Sequence, residues 1–349
     1  MRTVIFNAAL LIALILPITV CGETFEKEIN KSFNADSNTK LRINHQYGEL
    51  KLIKNKENKI IVNAKIIVDK SEDVNYESAL KRFNVDINHT GNIVYVTTTI
   101  NNDNSKGGRN RYFNVINSNF KINIDIYLPE CANNAEITHK YGNLIIPDYS
   151  GELDISLRYG TFFAENLTNK NSIIKLQYCQ NSTIESVTDI GLELRYSGLT
   201  VKNASSIKIN NNYSTLKADN IKTLDGKFSY GGLSVKQIEQ LNIESRYSTI
   251  EAETLLKQGI FETRYGNVTI NSLSADFKEL RFDSQYTMIS IDTQNNKNYD
   301  INIEGNYTSI NIHRTTQTKT NGNYTTVIIN EGHISKIKAN LRYGAFTVK

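Results

Sequence analysis

Leu241-Asn242-Ile243-Glu244-Ser245-Arg246-Tyr247-Ser248-Thr249-Ile250-Glu251-Ala252-Glu253-Thr254-Leu255 is the stretch that decides the fold. Before Tyr247, Leu241 and Ile243 share its parity; after it, Ile250 and Ala252 take the other, and Leu255 switches again. Alternation at period two marks a strand with one buried face, because side chains i, i+2 and i+4 point the same way. A change of parity requires a bend that absorbs one residue, and Ser248 is small enough to sit in one. The stretch therefore reads as a short strand, a corner, a second short strand and a further corner.

The pattern recurs. Around Tyr230 it is Leu224, Phe228, Leu233, Val235 and Ile238. Thirteen tyrosines carry it: Tyr47, Tyr141, Tyr159, Tyr178, Tyr196, Tyr213, Tyr230, Tyr247, Tyr265, Tyr286, Tyr307, Tyr324 and Tyr343, each followed by Gly, Ser, Thr or Cys. From Tyr141 the gaps are 17 to 21 residues, too short for an ordinary domain and right for a stacked repeat. A unit this small cannot bury its own apolar face, so units must stack, pairing equivalent strands about 4.8 Å apart. The expected fold is all-β: a single-stranded parallel β-helix (β-solenoid) of about 12 short coils of 17–21 residues, with an N-terminal β-rich cap. Eleven intervals would make a stack of roughly 50 Å. With three prolines in 349 residues, central strands keep their ladder hydrogen bonds.

The tyrosine shares the parity of Leu and Ile, so it is expected as an inward or corner aromatic stacking on the tyrosines of adjacent coils. The competing reading is an exposed aromatic ladder that stacks on sugar rings.

Three segments follow. Residues 1–22 have a single early Arg2 and an apolar run from Val4 to Val20, as a secretory signal peptide does. Two endings stay open: cleavage after Gly22, or acylation of Cys21 as a lipid anchor. Residues 23–134 hold a first coil at Tyr47 and longer strands (Ile60 to Val68, Phe83 to Ile87, Ile93 to Ile100, Phe120 to Leu128), and are expected to cap the stack. Within them, Ser71 to Lys81 reads as a short helix capped by Ser71, and Asn101 to Asn119 as a mobile loop. Residues 135–349 are the solenoid repeats. The expected location is exported: periplasm, outer membrane surface or secreted. No later apolar run is long enough for a membrane-spanning helix.

Composition narrows the chemistry. A net charge of +4 implies no strong field for nucleic acid. Beyond the signal only Cys131 and Cys179 remain, either free or paired with each other. The residue before the tyrosine is basic at Lys140, Arg158, Arg195, Arg246, Arg264 and Arg342, which could line up for an anionic polymer. Two positions earlier stand Glu193, Glu244, Glu262, Asp283 and Glu304, so a mutually compensated charge ladder is the preferred expectation. His45 and His139 occupy inward positions without further ligands, so no metal or cofactor is expected. Asp148, Asp154, Asp189, Asp219 and Asp225 lie at different phases of the repeat, so no catalytic carboxylate set converges, and the chain is expected not to be an enzyme. Sequons such as Asn88-His89-Thr90 are compositional in so Asn- and Thr-rich a chain.

Tyr141-Gly142-Asn143-Leu144-Ile145-Ile146, Tyr265-Gly266-Asn267-Val268-Thr269-Ile270 and Asn44-His45-Gln46-Tyr47-Gly48-Glu49-Leu50-Lys51-Leu52 resemble the bacterial family of putative adhesins, exported β-helical repeat domains akin to auto-transporter adhesin heads. The resemblance implies a parallel β-helix at the cell envelope and contact with a protein or glycan partner, and it carries over no functional residues. An envelope structural component without external ligand is the alternative function, and a polysaccharide-active enzyme a third.

Overall fold

The computed structural model describes residues 24–69, 81–100, 120–132 and 134–349. The signal segment with Cys21, the helix expected from Ser71 (save Lys81) and the loop expected over 101–119 lie outside the described residues. The chain is all-β and divides into two compact units, up to Ala132 and from Asn133 onward. No helix among the described residues is long and apolar enough to cross a membrane.

The first unit has seven strands: β1 (Thr24–Asn34), β2 (Lys40–Gln46), β3 (Leu50–Asn55), β4 (Lys59–Asp69), β5 (Phe83–Thr90), β6 (Ile93–Ile100) and β7 (Phe120–Pro129). One sheet runs β1-β4-β7-β3, antiparallel except for the parallel β3–β7 pair. The other runs β5-β6-β2. Alternate residues are buried, among them Ile60, Val62, Ile66 and Val68 from the first sheet and Val85, Ile87, Val94 and Val96 from the second. Phe83 stacks on Phe120 at 4.2 Å and joins the two.

The second unit begins with short strands, β8 (Asn134–Lys140), β9 (Leu144–Tyr149), β10 (Glu152–Arg158), β11 (Phe162–Leu167) and β12 (Ser172–Gln177). Longer ones follow: β13 (Ser182–Arg195), β14 (Gly198–Asn212), β15 (Thr215–Ser229), β16 (Gly232–Arg246), β17 (Thr249–Ile270) and β18 (Glu279–Ile291). Pairing is parallel and in register with the repeat: Leu199 lies opposite Leu216, Leu216 opposite Leu233 and Leu233 opposite Ile250. The arms before and after each tyrosine pair separately, β8 with β10 and β9 with β11, so the unit stacks like a solenoid. Residues six, four and two before the tyrosine and three, five and eight after it form the core, such as Leu224, Phe228, Leu233, Val235 and Ile238.

At the far end the order departs from sequence. After β18 the chain continues as β19 (Tyr299–Ile312), β20 (Gln317–Asn321), β21 (Tyr324–Ile329) and β22 (Ser335–Val348). β22 pairs in parallel with both β18 and β19, so the last strand is inserted between two that precede it. β21 then pairs antiparallel with β19, and β20 with β21. This corrects the reading of the tyrosines as consecutive rungs: Tyr343 follows Tyr286 in space, Tyr307 comes next, and Tyr324 belongs to the antiparallel hairpin.

Asp300 ties the return into β22. Its carboxylate accepts the backbone N–H of Glu331 (2.9 Å) and of His333 (3.3 Å). Burial pushes its pKa up, but these N–H donors, with the charges of His333 and Lys336, outweigh it and hold the carboxyl below its ordinary value. A depressed carboxylate contributes stability above its unfolded pKa and loses it as pH falls through the folded one. The 331–333 connection is thus expected to become protease-sensitive in acid below the ordinary carboxylate range, and Asp300→Ala to produce the same sensitivity at neutral pH, at about 1–3 kcal/mol. Limited proteolysis of both proteins across pH checks this.

Candidate functional site

The corner turns at the tyrosine itself. Tyr141, Tyr159, Tyr178, Tyr196, Tyr213, Tyr230, Tyr247, Tyr265, Tyr286, Tyr307 and Tyr343 all have φ of 50–60°, the left-handed region that bulky residues avoid. This corrects the placement of the bend at the following small residue. It also corrects the inward reading of the ring. A left-handed residue breaks the alternation that parity counting assumes, so the phenol swings outward and the next residue turns inward. These tyrosines are 40–54% exposed, whereas Cys179, Ser197, Ser214, Ser248 and Thr287 behind them are buried. The tyrosine N–H stays in the ladder: that of Tyr213 donates to the Ser229 carbonyl at 2.9 Å and that of Tyr230 to Arg246 at 3.0 Å.

The small residue locks the corner. The Ser197 hydroxyl donates to the Arg195 carbonyl at 2.8 Å across the turn and accepts the Cys179 N–H at 3.1 Å from the neighbouring coil. Ser214 and Ser248 span their own corners in the same way, each at 2.8 Å. Where glycine occupies the slot, the neighbouring coil leaves no room for a Cβ. A Cβ on Gly160 would lie 1.8 Å from the Gly142 carbonyl oxygen, an overlap only backbone movement can relieve. Gly160→Ala is expected to destabilise by about 2–3 kcal/mol, the upper part of the range for overpacking. Urea unfolding of the variant measures it.

The rings form one row. Adjacent phenols from Tyr141 through Tyr286, then Tyr343 and Tyr307, lie 4.8–5.2 Å apart with planes within 2–11° of parallel. Each interior ring is covered on both faces by its neighbours, so the row presents ring edges and hydroxyls. Two of the thirteen tyrosines are elsewhere. Tyr47, at φ 66°, packs against Phe120 at 5.1 Å in the first unit. Tyr324 lies in β21, where a hydrogen bond to Glu304 raises its pKa.

Beside the rings runs the row of residues before each tyrosine. Register places Lys140 opposite Arg158, Arg246 opposite Arg264, and Arg342 beyond Gln285. Among the described residues, none of the six basic side chains in this row forms an ion pair. Carboxylates on the flanks bind other lysines: Lys227 with Glu244 at 2.6 Å, Lys236 with Asp219 at 2.9 Å, Lys257 with Glu239 at 2.6 Å. The hydrogen bond from Lys227 lowers the Glu244 pKa against a smaller opposing effect of burial. The compensated ladder expected between the basic row and its acidic neighbours is therefore narrowed: the direct ion pairs join lysines and acids of adjacent coils, while Arg246 and Arg264 act on Glu244 only through their charge. Sequence reading missed this because exposed side chains of adjacent rungs, 17 or 18 residues apart, compete for the same acid, and only register decides which wins.

The remaining chemical candidates are two histidines and two cysteines. His45 is buried in the first unit with Nδ1 2.7 Å from Thr98 Oγ1, and His139 is buried in the second. No group of three His, Cys, Asp or Glu that could hold a metal ion occurs among the described residues. Cys131 and Cys179 are both free thiols. Burial raises the Cys179 pKa, which suits a packing residue.

Comparison with family profiles and with curated protein sequences gives no match. Among solved structures, the chain is similar to a putative cell adhesion protein from Clostridium sporogenes ATCC 15579, at 13% identity over 93% of this chain and 99% of that one, with a TM-score of 0.22. It is also similar to a putative adhesin from Parabacteroides merdae ATCC 43184 (9% identity, 93% and 96% covered, TM-score 0.29). A third is a putative adhesin from Bacteroides fragilis NCTC 9343 (12%, 93% and 97%, TM-score 0.19). Superposition at these scores carries no argument about fold or function.

Proposed function

We propose that this protein is an exported, non-enzymatic parallel β-helix of the bacterial cell envelope that acts as an adhesin, presenting a long edge to extended protein or glycan partners. The observation that carries the reading is the tyrosine row. Eleven aromatic side chains stand in one unbroken row outside the core, each in a backbone conformation that costs about 1–2 kcal/mol for an L-residue and that stacking on its neighbours offsets, so ring edges and hydroxyls repeat along an exposed edge. With 40–54% of each residue exposed, the edge and hydroxyl of every ring stay open to a partner. A regular edge of repeated side chains suits a partner that repeats as well.

Binding of the protein to arrays of glycans and matrix proteins tests this, with signal expected on at least one extended polymer. Protease added to intact cells should cleave the chain at the surface. Uniformly blank arrays, together with resistance on intact cells, would favour an internal envelope scaffold instead.

A further inference from the structure

We infer that the tyrosine edge binds an anionic polysaccharide, a polymer of uronate or sulfated sugars laid along the row; this rests on the adhesin reading and narrows its partner. In spatial order the row beside the rings is Lys140, Arg158, Gln177, Arg195, Asn212, Ser229, Arg246, Arg264, Gln285, Arg342 and Asn306. It contains cations and neutral hydrogen-bonding side chains and no carboxylate. On the other side of the rings, the second residue after each tyrosine is uncharged throughout, for example Thr215, Gly232, Thr249 and Asn267. The row thus carries six cations at intervals, with its nearest carboxylates two residues away on the same arms, although the chain as a whole carries only +4.

Two features show that these charges are not there for the fold. Lys140 faces Arg158 and Arg246 faces Arg264 on adjacent rungs, and like charges directly opposite destabilise a sheet. No ion pair within the described residues ties them down, and Glu244 feels Arg246 and Arg264 only through their charge. A guanidinium left open is suited to bidentate contact with a carboxylate or sulfate. The phenol hydroxyls and the interspersed Gln and Asn can hydrogen-bond sugar hydroxyls.

The covered ring faces decide between polyanions. Single-stranded nucleic acid binds by stacking bases on open aromatic faces, and here each interior face is occupied by the next tyrosine about 5 Å away. An acidic protein would be anchored by side chains in a desolvated apolar pocket, whereas the cavity beside the row is lined by charged and polar groups such as Glu244, Arg246, Glu262, Arg264, Asp283 and Arg342. A polysaccharide needs only edge hydroxyls and charges at intervals.

The test measures binding of the protein to polygalacturonate and heparin, with dextran and single-stranded DNA alongside, at several salt concentrations. Binding to the two anionic glycans that weakens with salt is expected, with none to dextran. Changing Lys140, Arg158, Arg195, Arg246, Arg264 and Arg342 to Gln should weaken it by about 60-fold, at roughly twofold for each exposed charge pair. A control that loses the same charge elsewhere (Lys170, Lys208, Lys217, Lys222, Lys278 and Lys336 to Gln) should stay within about threefold of the parent, with circular dichroism confirming that both variants fold. Equal loss in the two variants, no loss in the first, or tighter binding of DNA would overturn the inference. Binding confined to neutral glycans or proteins would overturn it too while leaving the adhesin reading standing, whereas no binding to any array polymer sinks both.

Discussion

Ending the chain after Ile334, before β22, is expected to unfold residues 299–329 while the stack up to Ile291 persists. β22 contributes Ile337, Leu341, Phe346 and Val348 to the core, and Phe346 meets Phe282 edge-on at 5.5 Å. Burying an aliphatic or aromatic side chain is worth about 1.5–3 kcal/mol, so these four together rival the 5–15 kcal/mol that typically holds a domain. The loss falls mostly on one side. β18 keeps its parallel partner β17, but β19 is left with only the antiparallel β21, whose own partner β20 is exposed throughout. Amides from Tyr299 to Ile329 should therefore exchange with solvent within seconds, and those of β14 to β16 should stay protected. The newly bared edge of β18 should also drive concentration-dependent association, because a long unpaired parallel strand recruits another chain. A synthetic peptide spanning 335–349 should restore protection and the monomer. Unchanged exchange in 299–329 would mean that β22 is an ornament on a stack that is stable without it. Hydrogen exchange with mass detection reads the protection, and sedimentation at several concentrations reads the association.

The same end shows how far the sequence was legible. The arms were readable because their apolar residues alternate with solvent-facing ones, and the core positions expected around Tyr230 and Tyr247 are buried except at the tyrosines themselves. The insertion of β22 was not readable from Tyr343, whose copy has Ile337, Ala339 and Leu341 before the tyrosine like any other. Local pattern fixes that a segment is a rung and leaves open which rung it lies against. The fate of Tyr324 did leave a mark: Thr318, Thr320 and Gly322 stand where apolar residues should be, so its first arm had nothing to bury and became the exposed β20. The candidate site was harder. Counting parity through Tyr247 assumed an extended backbone at the tyrosine, and a left-handed φ of 52° reverses the direction of its side chain. The small residue behind it was the available signal. Ser248 is confined because it has turned into the core, where its hydroxyl caps the Arg246 carbonyl.

Substitutions at Tyr213 are expected to separate stacking from backbone strain, in the stability order Phe, then Gly, then Val. Tyr213 lies mid-row, 5.0 Å from Tyr196 and 4.9 Å from Tyr230, with φ of 50°. Tyr213→Phe keeps both stacks and the conformation, so its unfolding midpoint should match the parent. Tyr213→Gly forfeits two ring pairs at about 0.5–1.5 kcal/mol each, yet gains back about 1–2 kcal/mol of left-handed strain, for a net loss near 1 kcal/mol. Tyr213→Val loses the same pairs and holds a β-branched side chain in a region it rarely adopts, so about 3 kcal/mol or more should be lost. Position along the row gives an internal control. Tyr307 ends it, with Tyr343 as its one ring neighbour at 5.2 Å, so Tyr307→Gly should be neutral or slightly stabilising. Were Val at 213 as stable as Gly, the corner could not be held left-handed by the coil around it, and the outward aim of every ring in the row would lose its cause.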